Sequence, residues 1–482
     1  MRHVSRRGLI QGVISGALVL GFDAERRSWV TEARASSSFC AVPPLDGSLT
    51  TDPTRLASYA DDYGHIVART PFAVLSPGSI DDIVAIVRFA RANGLRVSGR
   101  GQGHTVLGQS QADAGIVVDM RSLDEIHLVD GEKAIVDAGA TWRDLLVAST
   151  AIGRSPPVVT GFTGTTIGGT LSVGGMSGRS FLHGTQGDNV LELTVVTGEG
   201  RVIVCSPHHR RKLFDGVLGG LGLCAIIVRA TVRLVPVKPI ARTFRLLYAD
   251  LPALLGDLQA LAEEPRFEDM VGQGLPGPEG FAYFLEGTRF VDPGEEDDDE
   301  LLGDLSFVPG SVQVVEQPYL EYTEIVARLL VLLEQAGLAG LPHPWLDLMV
   351  PAAEMESFAS SAIAAVDVAQ LLPGSALLFY VHVRATLTRP MFRVPEDPTF
   401  FQLSILPTVA PDPAVVDAFL QLNRSLFEQN RALGGKHYVI SAIPLTPADW
   451  KKHFQPFWGL LQGAKHEHDP DNVLGPGPGV FP

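Results

Sequence analysis

The sequence predicts an α+β chain made of two units. Strand-length apolar runs alternate with amphipathic helices up to about residue 236, and after Pro239 the texture shifts to longer apolar helices and separate strands. The length of 482 residues also exceeds one ordinary domain.

In the first unit, GSIDDIVAIVRFARANG (residues 78 to 94) reads as a helix with Ile80, Ile83, Val84, Ile86, Val87 and Ala90 on its apolar side. Asp81 and Asp82 suit its N-terminus, Arg88 and Arg91 its C-terminus, and Gly94 ends it. LRVSG, GIVVDM and KAIVDAGATW follow as strands, and WRDLLVASTAIG as a helix that stops at Gly153. Glycine and threonine dominate residues 158 to 190. VLELTVVTGEGRVIVCS is a hairpin turning on Gly198, Glu199 and Gly200, and GLCAIIVRATVRLVPV is a long strand ending near Pro236. The second unit holds the helices DLPALLGDLQALAEE and EYTEIVARLLVLLEQAG and the strand SALLFYVHV. PGEEDDDE, residues 293 to 300, reads as a solvated acidic loop without the alternating ligands of a calcium site.

Composition excludes several classes. A net charge of -16, from 38 basic and 54 acidic residues, argues against nucleic acid or an anionic membrane as partner. Cys40, Cys205 and Cys224 form no zinc-ligand spacing, and an odd number argues against a disulfide framework. Cys205 and Cys224 lie in apolar runs and are expected as buried thiols. No GxSxG nucleophile motif is present. Residues 1–35 read as a leader rather than fold. Ser5-Arg6-Arg7 precedes an apolar run from Gly8 to Phe22, and Ala33-x-Ala35 offers a cleavage site. The paired arginines point to twin-arginine export to the periplasm or exterior, with no stable membrane insertion.

SGRGQGHTVLGQ, residues 98 to 109, concentrates the chemistry. Glycines 99, 101 and 103 leave backbone N–H groups uncovered, as an anion-binding nest requires. The spacing is not the dinucleotide GxGxxG. On its own residues the loop fits either a diphosphate cradle or a plain turn. GFTGTTIGGTLSVGGMSG (161 to 178), FDGVLGGLGLCAII (214 to 227) and the terminal HDPDNVLGPGPGVF add further glycine-rich stretches.

These stretches, with HGTQGDNVLELTVVTG, PHPWLDLMVP and DWKKHF, occur in an order that resembles the vanillyl-alcohol-oxidase or PCMH type of FAD-linked oxidoreductase, and within it cytokinin dehydrogenase. The resemblance implies an α+β fold with a PCMH-type FAD-binding domain at 36–238, an inserted substrate or cap domain at 239–430, and a return to the first domain at 431–482. It implies FAD bonded covalently through His104 to the flavin 8α-methyl carbon. No cysteine stands near Gly164, where bicovalent relatives carry one, so a single bond is expected. The implied FAD contacts are Gly101, Gln102, Gly103, His104, Thr105, Gln109, Gly161, Thr166, Ser172, Met176, Ile227 and Tyr438. Thr166 and Ser172 are expected to donate hydroxyl hydrogen bonds to it. The tail carries Gly475 and Pro478 where the family has serine and glutamine.

The chemistry departs from the family at one point. Its catalytic aspartate corresponds to Gly161 here, and its pocket tryptophan falls near Leu387. The pocket glutamate is retained as Glu286 in AYFLEGT. Glu286 and Tyr438 are therefore the catalytic candidates, and His183 is expected as a loop histidine that holds the fold. The reading that follows is an oxidase or dehydrogenase taking hydride from a small amine or alcohol, with oxygen or a quinone-like acceptor and a substrate that differs from the family's. Two alternatives stay open: a true cytokinin dehydrogenase acting on N6-substituted adenines, and a flavin-binding cyclase or non-redox binding protein.

Overall fold

The computed structural model describes residues 13–14, 17–31, 40–277, 280–295 and 301–481. In the first half a strand Ala73–Ser76, the helix Ile80–Ala92 and a strand Val97–Arg100 form a right-sized crossover. Ala73–Ser76 and Val97–Arg100 both run parallel to Ile116–Asp119, and Ser48–Thr50 adds an antiparallel edge. Ser79 caps the helix by accepting from Asp82 N–H. Asp82 does more than favour the helix dipole. Its carboxylate accepts backbone N–H bonds from Asp46 and Gly47 at 2.7 Å each and from Gly78 at 2.8 Å.

A second, five-stranded antiparallel sheet has the order Val202–Cys205, Val190–Thr197, Ala225–Arg233, Lys133–Asp137, Ile126–Val129. The hairpin turn falls at Gly198 to Gly200, with Gly200 at φ +69°. One core joins the two sheets, built on Leu75, Ile86, Val118, Val136, Trp142, Leu193 and Val228. Cys205 and Cys224 are buried free thiols, pushed up to about 12 by burial.

The second half is an eight-stranded antiparallel roof. Its order is Gln313–Pro318, Ile240–Tyr248, Gly280–Val291, Asp269–Gly277, Ala376–Val383, Thr399–Leu406, Leu346–Pro351, Lys436–His437. The last strand comes from the C-terminal return. One face of the roof, carrying Leu246, Met270, Leu285 and Phe379, packs under the helices Leu251–Glu263, Met355–Ala364 and Pro413–Ala432. The alternation of a strand then sends Arg245, Asp269, Glu286, Phe290 and Tyr380 to the other face, toward the first half. Phe290 meets Leu146 and Val159 there.

Three sequence expectations change. EYTEIVARLLVLLEQAG is not one helix but Tyr319–Thr323 and Ile325–Gln335, broken at Glu324 (φ -99°, ψ 5°). The Thr323 hydroxyl donates to Leu320 O at 2.8 Å, a local bond that competes with helix continuation. His183 belongs to the short helix Ser180–His183 rather than to a loop. Residues 1–35 were expected to stand apart from the fold, yet Ala17–Asp23 pairs with Ser28–Thr31 and with Cys40–Ala41. Phe22 joins the first core at 1% exposure, and Trp29 stacks on Phe89 with ring centroids 5.7 Å apart. The twin-arginine stretch, Ala33-x-Ala35 and most of the acidic run 293 to 300 lie outside the described residues. Among the described residues no helix is long and apolar enough to cross a membrane.

Candidate functional site

The first glycine loop leaves the strand Val97–Arg100 and is held open from below. Asp62 Oδ2 accepts from Thr105 Oγ1 and from Gly108 N–H, each at 2.7 Å. Burial pushes Asp62 up to about 6, while Thr105, Gly108 and the nearby Arg100 cation pull it down. Arg100 donates to Asp61 O at 2.6 Å and lies under Gly103, where a Cβ would stand 2.3 Å from its Nη2. Gly103 has φ +70°, a conformation that suits glycine.

The second loop meets the first at Gly101, where a Cβ would stand 1.9 Å from Thr166 Oγ1. The two loops line a common cleft with an interior of about 150 Å³. Gly101, Gln102, Gly103, His104, Thr105 and Gln109 line it from the first loop, Thr166 and Ser172 from the second, and Ile227 from the long strand. Stripped backbone on one side and hydroxyl side chains on the other suit a long, partly anionic ligand, so these residues fit FAD.

Sequence reasoning missed part of the lining. Ser98, Met120, Thr170, Leu221 and Ile440 also face the cleft, as do Gly475 and Pro478 of the tail. The tail is fastened by Val97 N–H donating to Val473 O at 2.8 Å and Gly475 N–H donating to Val97 O at 3.1 Å. Hydroxyl-bearing Ser98 and Thr170 sit inside the quoted loops and were readable. Met120, Leu221 and Ile440 look like ordinary core residues in sequence.

Three expected contacts lie outside this lining. Met176 packs in an adjoining apolar cluster with Leu221, Phe392 and Tyr438. The Tyr438 hydroxyl accepts from Gly175 N–H at 3.1 Å, which ties the C-terminal return to the second loop. Burial raises that phenol above its usual range, so Tyr438 is a poor proton acceptor at neutral pH. Gly161 faces a helix of the second half, where its Cβ would meet Val326 Cγ2 at 3.4 Å. Ser172 also departs from expectation. Its hydroxyl donates to Gly168 O at 2.7 Å and so presents a lone pair, not a proton, to the cleft.

His104 sits at the cleft's end in an aromatic box. Its ring centroid is 4.3 Å from Tyr63, 5.0 Å from Phe162 and 5.9 Å from Trp345. Burial and the neighbouring His343 lower His104 to about 4, so the imidazole is neutral and nucleophilic at neutral pH. Glu286 lies on the inner face of the roof. It pairs with Arg245 at 3.6 Å and accepts from Gln273, and burial raises its carboxyl.

Comparison with known proteins agrees with this geometry. Residues 71–206 match a family model described as an FAD binding domain. Residues 278–481 match one described as cytokinin dehydrogenase 1, FAD and cytokinin binding. The chain is 35% identical to an uncharacterized oxidoreductase of the fasciation locus of Rhodococcoides fascians, over 90% of this chain and 99% of that one. It is 31% identical to cytokinin dehydrogenase 5 of Oryza sativa subsp. japonica, over 90% and 91%. The crystal structure of a VAO-type flavoprotein from Myceliophthora thermophila superposes with a TM-score of 0.68 at 20% identity, over 86% of this chain and 80% of that one.

Proposed function

We propose, from the premise that this chain belongs to the cytokinin dehydrogenase family of FAD-dependent oxidoreductases, that it oxidises a C–H bond beside nitrogen or oxygen in a small molecule other than the N6-substituted adenines. The observation that carries the restriction is Gly161. No carboxylate stands at the second-loop position where the family places its proton acceptor, and the space beside it is bounded by Val326. Bound FAD supplies the hydride acceptor at flavin N5. The backbone N–H groups of the first glycine loop and the hydroxyls of the second would hold the diphosphate of FAD. Glu286 orients the substrate by accepting its N–H or O–H, and Arg245 and Gln273 hold that carboxylate in place. Tyr438 anchors the second loop and takes no proton.

His104 is proposed to carry the flavin through a single covalent bond. A neutral imidazole nitrogen at the end of the cleft supports this. Oxygen or a quinone-like compound takes the electrons afterwards. Twin-arginine export belongs to the same reading. N-terminal sequencing of the protein recovered outside the cytoplasm checks it, because cleavage near Ala35 would remove the hairpin at 17–31.

An anaerobic panel of amines, alcohols and N6-isopentenyl adenine tests the function. Bleaching of the flavin by an amine or alcohol, and slow or no bleaching by the adenine, is the expected result. Fast bleaching by the adenine favours the second reading, a true cytokinin dehydrogenase, which the cytokinin-binding family match supports. A flavin that stays oxidised throughout removes the oxidative reading.

A further inference from the structure

A second cavity lies between the helix Arg211–Val217, the connection that follows the strand Ala376–Val383, and the start of the helix Trp458–His468. Its interior is about 610 Å³, the size of a small-molecule site, and it shares no lining residue with the cofactor cleft. Two chemistries meet in its walls. Leu387, Phe392, Val394, Phe457 and Leu460 supply apolar surface, and Phe457 keeps 36% of its own surface exposed. Arg211, Lys212, Arg384, Arg389 and Arg393 supply cations.

The chain as a whole carries a charge of -16, so five cations around one cavity reverse the sign of the field locally. They meet too few acids. Asp215 pairs with Arg211 at 3.1 Å and with Arg389 at 3.2 Å, and Asp188 lies 3.6 Å from Arg389. Glu396 serves both Arg384 and Arg393. Among the described residues Lys212 has no ion-pair partner. Three carboxylates for five cations leave positive charge that a bound anion would neutralise. Two of the guanidinium groups are also held in place. Arg393 is buried, donates from Nε to Gln455 O at 3.1 Å, and lies over the Phe457 ring at 5.0 Å. Arg389 lies over the Phe214 ring at 5.3 Å. Fixed guanidinium forks suit the oxygens of carboxylate and phosphate. Burial lowers Arg393 below its ordinary value, with Glu396 opposing this and Arg384 adding to it, as crowded cations do.

We propose that this cavity binds a small amphipathic anion, an apolar body that ends in a phosphate or carboxylate group. The apolar walls take the body and the cations take the head group. The site is separate from the FAD cleft, yet one side chain joins the two regions. Phe392 lines the cavity and also packs on the second glycine loop, where a Cβ at Gly174 would stand 2.3 Å from its Cδ2. Its ring meets that of Tyr438 at 5.4 Å. A ligand held here by the folded chain raises its melting temperature by mass action.

The test titrates the FAD-loaded full chain with naphthyl phosphate, naphthoate, inorganic phosphate and naphthol, read by calorimetry and by the shift in melting temperature. Saturable binding of naphthyl phosphate, naphthoate or both is expected, about tenfold or more tighter than phosphate or naphthol alone. It should weaken several-fold as salt rises from about 50 to about 300 mM. The phosphate and carboxylate arms decide which head group the site prefers. Lys212→Glu and Phe457→Ala alter exposed side chains and should keep the wild-type melting temperature and flavin content. Each should weaken binding of the amphipathic anion about tenfold. Failure of both amphipathic anions to bind, binding no tighter than that of phosphate or naphthol, or wild-type affinity in either variant overturns the proposal.

Discussion

Asp62 and Thr105 are joined by a 2.7 Å hydrogen bond that fixes the floor of the first glycine loop. The same carboxylate oxygen takes Gly108 N–H at 2.7 Å. Replacing Asp62 with Ala leaves both donors without this acceptor, at about 1–3 kcal/mol for each group that stays buried and unpaired. The expected outcome is a lower melting temperature and FAD retention weakened about tenfold or more, read by thermal unfolding and by flavin absorbance after gel filtration.

His104 gives a direct test of the tether. His104→Ala is expected to fold and bind FAD, yet to release all of it on acid precipitation, whereas the wild-type pellet stays yellow. A fluorescent wild-type band on a denaturing gel, absent in the variant, is the confirming measurement.

Buried imidazoles set an acid limit on the fold. Burial lowers His104 and His343 to about 4, and His382 and His437 to about 3, all from 6.5. The folded state then binds fewer protons than the unfolded state below pH 6.5. The stability contributed by these groups is complete above 6.5 and is lost as pH falls toward 4 and then 3. Melting temperature should decline by several degrees between pH 7.5 and 5, and His382→Phe should flatten part of that slope. A flat profile would contradict the assignment.

Gly101→Ala probes the contact between the loops. Its Cβ would overlap Thr166 Oγ1, and overpacking of this kind costs about 1–3 kcal/mol. FAD binding should weaken by roughly tenfold to a hundredfold with the fold intact, and the double change with Thr166→Ala should restore much of it. Titration of flavin-depleted protein with FAD measures both.

Gly161→Asp asks whether the family chemistry can be put back. Among the described residues the new Cβ meets only Val326 Cγ2, at 3.4 Å, an ordinary contact, so the variant should fold. Flavin reduction by N6-isopentenyl adenine should rise about 100-fold, as expected for a general base restored. Stopped-flow bleaching reads it.

Much of the cofactor cleft was legible because its residues are local in sequence. Gly101 to Gln109 form one loop, and glycine spacing with a terminal histidine is a readable pattern. Asp62 was not legible, because an acid in ADDYG looks like a turn residue until a loop about forty residues later folds onto it. Asp269 in RFEDM likewise reads as a surface acid. Only the register with Thr288 and the approach of Gly178 make it an inner residue. The hairpin at Ala17–Asp23 was hidden by an apolar run that also suits a leader, and the break at Glu324 by uninterrupted helix-forming residues on both sides.

The roof leaves the first half at Ile240 and hands the chain back at Lys436–His437, the terminal strand of its own sheet. Only two peptide crossings connect it to the dinucleotide grip below. Exchange of this whole segment would therefore replace the roof in one piece, together with Trp345 of the His104 box and Phe392 beside the second loop, while the two glycine loops stay encoded outside it. Such an arrangement lets a lineage abandon one metabolite for another without reinventing how its flavin is held.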